Sequence, residues 1–158
     1  KFPLHYADVQ AEVELARGLT SKPLVMTDTG EWSDWDKCAK LADRVGVNIY
    51  PITYRDDKYV HSRVSAFKFF RKSLRFKEKY DRALLVSELQ AEPWGPGVVE
   101  DLPESEWTKS ISVSKLKQNK RLAQRAGFSE IWLWGVEWWY YIAAKGNSRL
   151  VDYMKTLK

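Results

Sequence analysis

The sequence predicts an α/β fold of parallel βα repeats, in which four strands and their surrounding helices make up half of a (β/α)8 barrel. Three observations predict it. Segments with helical period alternate with short apolar runs rich in β-branched residues. No GxGxxG or GxxxxGK[ST] motif follows any of those runs, which removes the main support for an open, doubly wound nucleotide-binding sheet. Polar and acidic residues follow each run instead, in TDTGEW, YPITYRDD, SELQAEPW and WGVEWW. Functional groups at the carboxyl ends of successive parallel strands share one face of a barrel.

The elements follow in order. Residues 6–17 read as a helix with Tyr6, Val9, Val13 and Ala16 on one face, and PLVMT, 23–27, as the first strand. The next helix is expected to start near Ser33, whose spacing to Asp36 matches a capping box, with Trp35, Cys38, Ala39, Ala42 and Val45 along one stripe. VGVNIY, 45–50, is the second strand. A basic amphipathic helix over 62–79 is expected to turn Val64, Phe67, Phe70 or Arg71, and Leu74 inward, and RALLVSE, 82–88, follows as the third strand. After turns at 93–97 and 103, a helix over 111–126 presents Leu116, Leu122, Ala123 and Ala126 and ends at Gly127. SEIWLWG, 129–135, is the fourth strand, and a last helix from Asn147 sets Leu150, Val151, Met154 and Leu157 at helical spacing. Such an order implies right-handed crossovers between parallel strands.

Composition bounds the function. A chain of 158 residues with 44% hydrophobic content supports one packed domain spanning 1–158. The net charge of +5 is spread through helix-like segments, which reads as a solvated helical surface, and no RNA- or DNA-binding motif occurs, so no nucleic-acid partner is expected. No apolar run approaches the length of a membrane span, and KFPLHYADVQ lacks the apolar centre of a signal peptide, so no membrane partner is expected. Cys38 is the single cysteine and reads as a small core residue, while His5 and His61 lie far apart, so neither a metal nor another cofactor is expected. Eight tryptophans are many for a chain of this size, four of them in IWLWGVEWWYY exceed what one small strand can bury, and aromatic rings, favoured in cores, are also the surfaces on which sugars and bases stack.

At the strand ends the sequence resembles the clan A glycoside hydrolases, retaining enzymes on (β/α)8 barrels that include cellulases, mannanases and β-galactosidases. LLVSELQAEPW looks like the seventh strand of that clan and IWLWGVEWW like its eighth. The resemblance implies that Glu88 is the nucleophile, that Tyr50 in VGVNIYP hydrogen-bonds it from strand six, and that Trp134 floors a sugar subsite. TDTGEW then follows strand five. With this come expected substrate contacts from Gln90, Glu92, Trp94, Glu137, Trp138, Asp28 and Glu31. Bland roles compete with some of these: Asp28 and Glu31 as helix caps, Glu92 as the partner of an arginine, Glu137 in a salt bridge.

The chemistry suits Glu88 independently of the resemblance. Retaining hydrolysis uses two carboxyl groups roughly 5–5.5 Å apart, one attacking the anomeric carbon and one protonating the leaving oxygen. Strict alternation sets Leu84, Val86 and Glu88 on one strand face, so that an apolar interior runs upward into the carboxylate. A full barrel needs about 250 residues and eight strands. Matching the four strands to five through eight leaves out strand four, which in the clan carries the acid/base, a glutamate after an asparagine, and no Asn-Glu pair occurs here. A half-barrel also exposes its inner face and two edges. The expected partners are therefore an oligo- or polysaccharide, and either a second copy in a homodimer or a complementing amino-terminal half-barrel. The alternative function is a noncatalytic carbohydrate-binding half-barrel.

Overall fold

A computed structural model describes residues 5–62 and 65–156. Four strands form one parallel sheet: β1 (Val25–Thr29), β2 (Arg44–Ile49), β5 (Ala83–Gln90) and β6 (Ile131–Trp134), in the spatial order β1-β2-β5-β6. That order is also the chain order, so the sheet has no switch point of the doubly wound kind. β3 (Ile52–Arg55) and β4 (Lys58–His61) form a separate antiparallel hairpin. The helices are α1 (Tyr6–Leu19), α2 (Asp36–Leu41), α3 (Ala66–Tyr80), α4 (Glu104–Trp107), α5 (Val113–Arg125), α6 (Val136–Ala144) and α7 (Arg149–Lys155). Among the described residues no helix is long and apolar enough to cross a membrane.

The crossovers α2, α3 and α5 cover the same sheet face. One core cluster unites Trp35, Cys38 and Ala39, Phe69 and Phe76, and Ala123 with Val45, Val47 and Ile49 of β2 and Leu84, Val86 and Leu89 of β5. Each large aliphatic side chain buried this way contributes about 1.5–3 kcal/mol. A second cluster, containing Trp107, Trp138, Trp139, Ile142 and Leu150, packs α4, α6 and α7 around Ala91, just past the end of β5. On the other sheet face the outer strands are open, with Thr27, Thr29, Trp132 and Trp134 all exposed. Arg44 reaches across that face to pair with Glu130, which also accepts a hydrogen bond from Trp132 Nε1 at 3.1 Å.

Several expectations are corrected. β1 begins at Val25, two residues later than expected, and α2 begins at Asp36. Ser33 makes no capping box with Asp36: its Oγ accepts from Trp35 N at 3.1 Å and donates to Asp28. Trp35, Cys38, Ala39 and Ala42 are buried as expected, but Val45 belongs to β2. α3 turns a different stripe inward. Phe69, Ser73 and Phe76 are buried, whereas Phe67, Phe70 and Leu74 are exposed at 66%, 40% and 44%. Both stripes have helical spacing, and the position of Ser65 as N-cap, accepting from Lys68 N, does not choose between them. Val64 and Leu157 lie outside the described residues. On α1, Val9, Val13 and Ala16 share the half-buried face, while Tyr6 is exposed. The face expected for α5 is the buried one, and Gly127, at φ +87, ends that helix with Phe128 N bonded to Ala123 O.

The largest correction concerns β5. Val47 pairs with Val86 but Asn48 pairs with Glu88, so Ser87 is an extra residue in the strand. A bulge of this kind lets two successive side chains leave the same face. Leu84 and Val86 therefore point into the helix-side core, while Glu88 shares the opposite face with Asn48, not the face of Leu84 and Val86. Gly46 of β2, which pairs with Leu85 just before the bulge, leaves room for the Ser87 side chain. A Cβ there would sit 2.5 Å from Ser87 Oγ and 3.4 Å from Thr27 Cγ2.

Candidate functional site

At the carboxyl ends of β1, β2 and β5 the open sheet face deepens into a cavity of about 770 Å³. Its floor is built by strand-end residues: Thr29, Asn48, Tyr50 and Glu88. The strands deliver these groups because a parallel sheet aligns their carboxyl ends. Pro51 has no N–H with which to continue the β2 ladder, and the chain turns there into the β3–β4 hairpin. Ser62 N closes the hairpin base on Pro51 O at 2.8 Å. The hairpin then forms one wall, through Thr53, Arg55 and Val60, and the loop after β1 forms the facing one, through Glu31 and Trp32. Ser62 Oγ donates to Glu31 Oε1 at 2.8 Å and joins the two walls.

Tyr50 Oη donates to Glu88 Oε2 at 2.7 Å. Burial, reinforced by the Glu88 carboxylate, pushes the phenol far above its ordinary pKa, so it remains a donor. Ser87 Oγ donates to Asn48 Oδ1 at 2.7 Å directly beneath, which fixes the amide beside the carboxylate. The Trp94 ring packs on Tyr50 with centroids 5.5 Å apart and keeps 38% of its surface exposed toward the cavity. Trp94 is itself pinned through its backbone. Its N–H donates to Ser110 Oγ and its carbonyl accepts from the same hydroxyl, at 2.9 and 2.8 Å. A half-exposed carboxylate, oriented by a phenol and flanked by an amide and an indole face, is equipped to attack an electrophilic carbon or to bind hydroxyl groups.

The other sequence-derived candidates divide. Glu31 and Trp94 line the cavity with Tyr50 and Glu88. Asp28 does not, because it faces α2, where it accepts from Ser33 Oγ and lies near Cys38 Sγ. Gln90 is fully buried. Its Oε1 accepts from Ile52 N at 3.0 Å and its Nε2 donates to Ile52 O at 2.6 Å, so it anchors the hairpin to β5 instead of meeting a ligand. Trp138 is 5% exposed and packs edge-on against Trp107 in the second cluster, away from the cavity.

Glu92, Trp134 and Glu137 form a neighbouring group. Trp134 Nε1 donates to Glu92 Oε1 at 3.2 Å, and Glu137 occupies the first turn of α6. Burial raises the pKa of Glu92; the Trp134 bond opposes the rise, and the charges of Glu137, Glu100 and Glu88 add to it. Glu92 packs against Gly135, which has φ +87 and where a Cβ would lie 2.3 Å from Glu92 Cβ. Neither an arginine nor a lysine pairs with Glu92 among the described residues.

Sequence reasoning missed Asn48, Trp32 and Arg55 as cavity residues. A signal for the hairpin was present: the pair Asp56-Asp57, both at positive φ, stands between Tyr54 and Tyr59, whose rings pack 5.1 Å apart across the strands. Aspartate tolerates the left-handed region that a two-residue turn requires. Compared with known proteins, the chain matches no family model and no curated sequence. The functional reading therefore rests on the geometry.

Proposed function

We propose that this chain is the catalytic half of a retaining glycoside hydrolase, with Glu88 as nucleophile acting on a β-linked oligo- or polysaccharide. The observation that carries the reading is the 2.7 Å bond from Tyr50 to Glu88 at the floor of a tryptophan-walled cavity, at the carboxyl ends of parallel strands. The strand order β1-β2-β5-β6, with α2, α3 and α5 packed on one face, supports the half-barrel architecture. In this mechanism a Glu88 oxygen attacks the anomeric carbon as the glycosidic C–O bond breaks, and the leaving oxygen takes a proton from a second carboxylic acid. Water then displaces Glu88, giving one proton back to that acid and releasing the sugar with its original configuration. Tyr50 holds the attacking carboxylate, and Trp94 offers an apolar face to the sugar ring.

The second carboxyl group comes from a partner. β1 and β6 are both sheet edges, and the open face beside them exposes Trp132 and Trp134, each at 47%. Such a surface favours association, either of two copies or with a complementing half-barrel. A mechanism-based fluorinated aryl glycoside tests the assignment. Peptide mapping is expected to find the glycosyl adduct on Glu88, and an adduct on another carboxylate, or undiminished turnover in Glu88→Gln, removes Glu88 from the role. The second reading, a noncatalytic carbohydrate-binding half-barrel, draws on the two exposed cavity tryptophans, Trp32 and Trp94. Binding without turnover or adduct selects it.

A further inference from the structure

The hairpin wall of the cavity carries the Arg55 guanidinium, which has no ion-pair partner among the described residues. In the hairpin register Thr53 pairs with Val60 and Arg55 with Lys58, so these four side chains share one face. Three of them, Thr53, Arg55 and Val60, line the cavity. Arg55 and Lys58 are thus like charges directly opposite each other, a placement that destabilises a hairpin unless an anion sits between them. Neither makes a salt bridge or a side-chain hydrogen bond among the described residues. Asp56 and Asp57 fill the turn beyond them and are likewise unpaired there. The Arg55 guanidinium lies over the Trp32 ring, 5.9 Å from its centroid. That contact engages a π face and leaves the N–H groups available to an anion.

We propose that the cavity takes an acidic oligosaccharide, with the carboxylate of a uronic-acid residue held by Arg55, and Lys58 opposite it in the hairpin adding positive charge, while an adjoining ring is presented to Glu88. The inference rests on the carbohydrate reading above and deepens it by naming the substrate class. A guanidinium matches the planar carboxylate with two parallel N–H donors, and Trp32 holds it in place before the ligand arrives. Neutral glucans or mannans would leave both cations unmatched.

The test is calorimetric titration of the 158-residue Glu88→Gln chain, in which the attacking carboxylate is replaced, against ligand pairs that differ only at C6. Suitable pairs are cellotetraose with its tetrauronate and mannotetraose with tetramannuronate, with C6-sulfated cellotetraose as a third arm. The expected result is that one uronate binds at least about tenfold tighter than its neutral twin at low salt, the scale of one charge-assisted hydrogen-bonded pair. The preference for the uronate over its neutral twin is expected to shrink with added salt and to vanish in Arg55→Ala. Neutral ligands that bind as tightly as the uronates overturn the proposal, as does a preference that survives Arg55→Ala and Lys58→Ala together. An equal gain from sulfate overturns the assignment to a carboxylate. Covalent trapping at Glu88 by a neutral fluoroglycoside, alongside indifference to C6 charge, removes this inference and leaves the hydrolase reading standing. Absence of binding by every sugar removes both.

Discussion

Tyr50 Oη lies 2.7 Å from Glu88 Oε2, joining residues 38 positions apart in sequence across the ends of β2 and β5. A hydrogen bond to an ionised group is worth about 1.5–3 kcal/mol. Tyr50→Phe keeps the ring against Trp94 and removes only the donor. It is expected to lower kcat/KM on an aryl β-glycoside by roughly 10- to 100-fold. Because burial and Glu88 push the phenol upward, no loss of rate from its ionisation is expected below about pH 10. Initial-rate measurements across pH check both statements, and a wild-type rate in Tyr50→Phe assigns the orientation of Glu88 to other groups.

Glu92 gives a pH-dependent stability with a definite sign. Its folded-state pKa is raised, chiefly by burial, so the folded protein holds this proton more tightly than the unfolded chain does. Below the unfolded value both states are protonated and the carboxyl is neutral to stability. As pH rises through the interval up to the folded value, the unfolded chain ionises first and stability falls. Glu92→Gln keeps an acceptor for Trp134 Nε1 and abolishes the titration. Its Tm is expected to exceed that of the parent at pH 8 and to equal it below about pH 4, as thermal melts by circular dichroism can show.

Gly46 and Ser87 are expected to behave as one unit. Gly46→Ala places a Cβ 2.5 Å from Ser87 Oγ, an overlap that costs about 1–3 kcal/mol. Ser87→Gly removes the colliding atoms, so the double variant is expected to recover most of that loss. Urea denaturation of the two single variants and the pair measures the coupling, and strict additivity contradicts the geometry.

Cys38 is buried beside Asp28, and desolvation, assisted by that charge, pushes its thiol up to about 11. The folded protein is therefore expected to resist alkylation at pH 8 and to react promptly once denatured. Mass spectrometry after timed exposure to iodoacetamide decides this.

The open sheet face makes an association prediction. Sedimentation equilibrium is expected to show a mass that rises with concentration, and Trp132→Lys is expected to weaken the association by about 2 kcal/mol, near thirtyfold in Kd, as for a buried tryptophan anchor. A mass that stays monomeric at every concentration argues against the homodimer.

Much of this arrangement was legible in the sequence. The βα alternation located all four strands of the main sheet, and the residues following them gave Tyr50, Glu88, Glu31 and Trp94 as neighbours. The rest failed for identifiable physical reasons. Period-two counting misplaced the faces of β5 because the Ser87 bulge inserts one residue, which alternation alone does not reveal. α3 has two apolar stripes, and only tertiary packing selects Phe69 and Phe76 over Phe67 and Leu74. Gln90 follows Glu88 by two residues and looks like a second ligand. The amide is consumed by Ile52, on a strand that the sequence reading did not contain. Arg55 was missed for the same reason, since its address depends on the hairpin.

The tryptophans divide in a way that gives the molecule two separate optical signals. Trp35, Trp107, Trp138 and Trp139 are at most 7% exposed, whereas Trp32, Trp94, Trp132 and Trp134 range from 38% to 75%. The buried set emits from a dry environment and reports on the integrity of the two cores. Of the wet set, Trp32 and Trp94 stand in the cavity, while Trp132 and Trp134 stand on the open sheet face. Iodide quenching therefore reads occupancy of the cavity through the first pair and contact with a partner through the second. Single phenylalanine replacements tell the two apart without any added label.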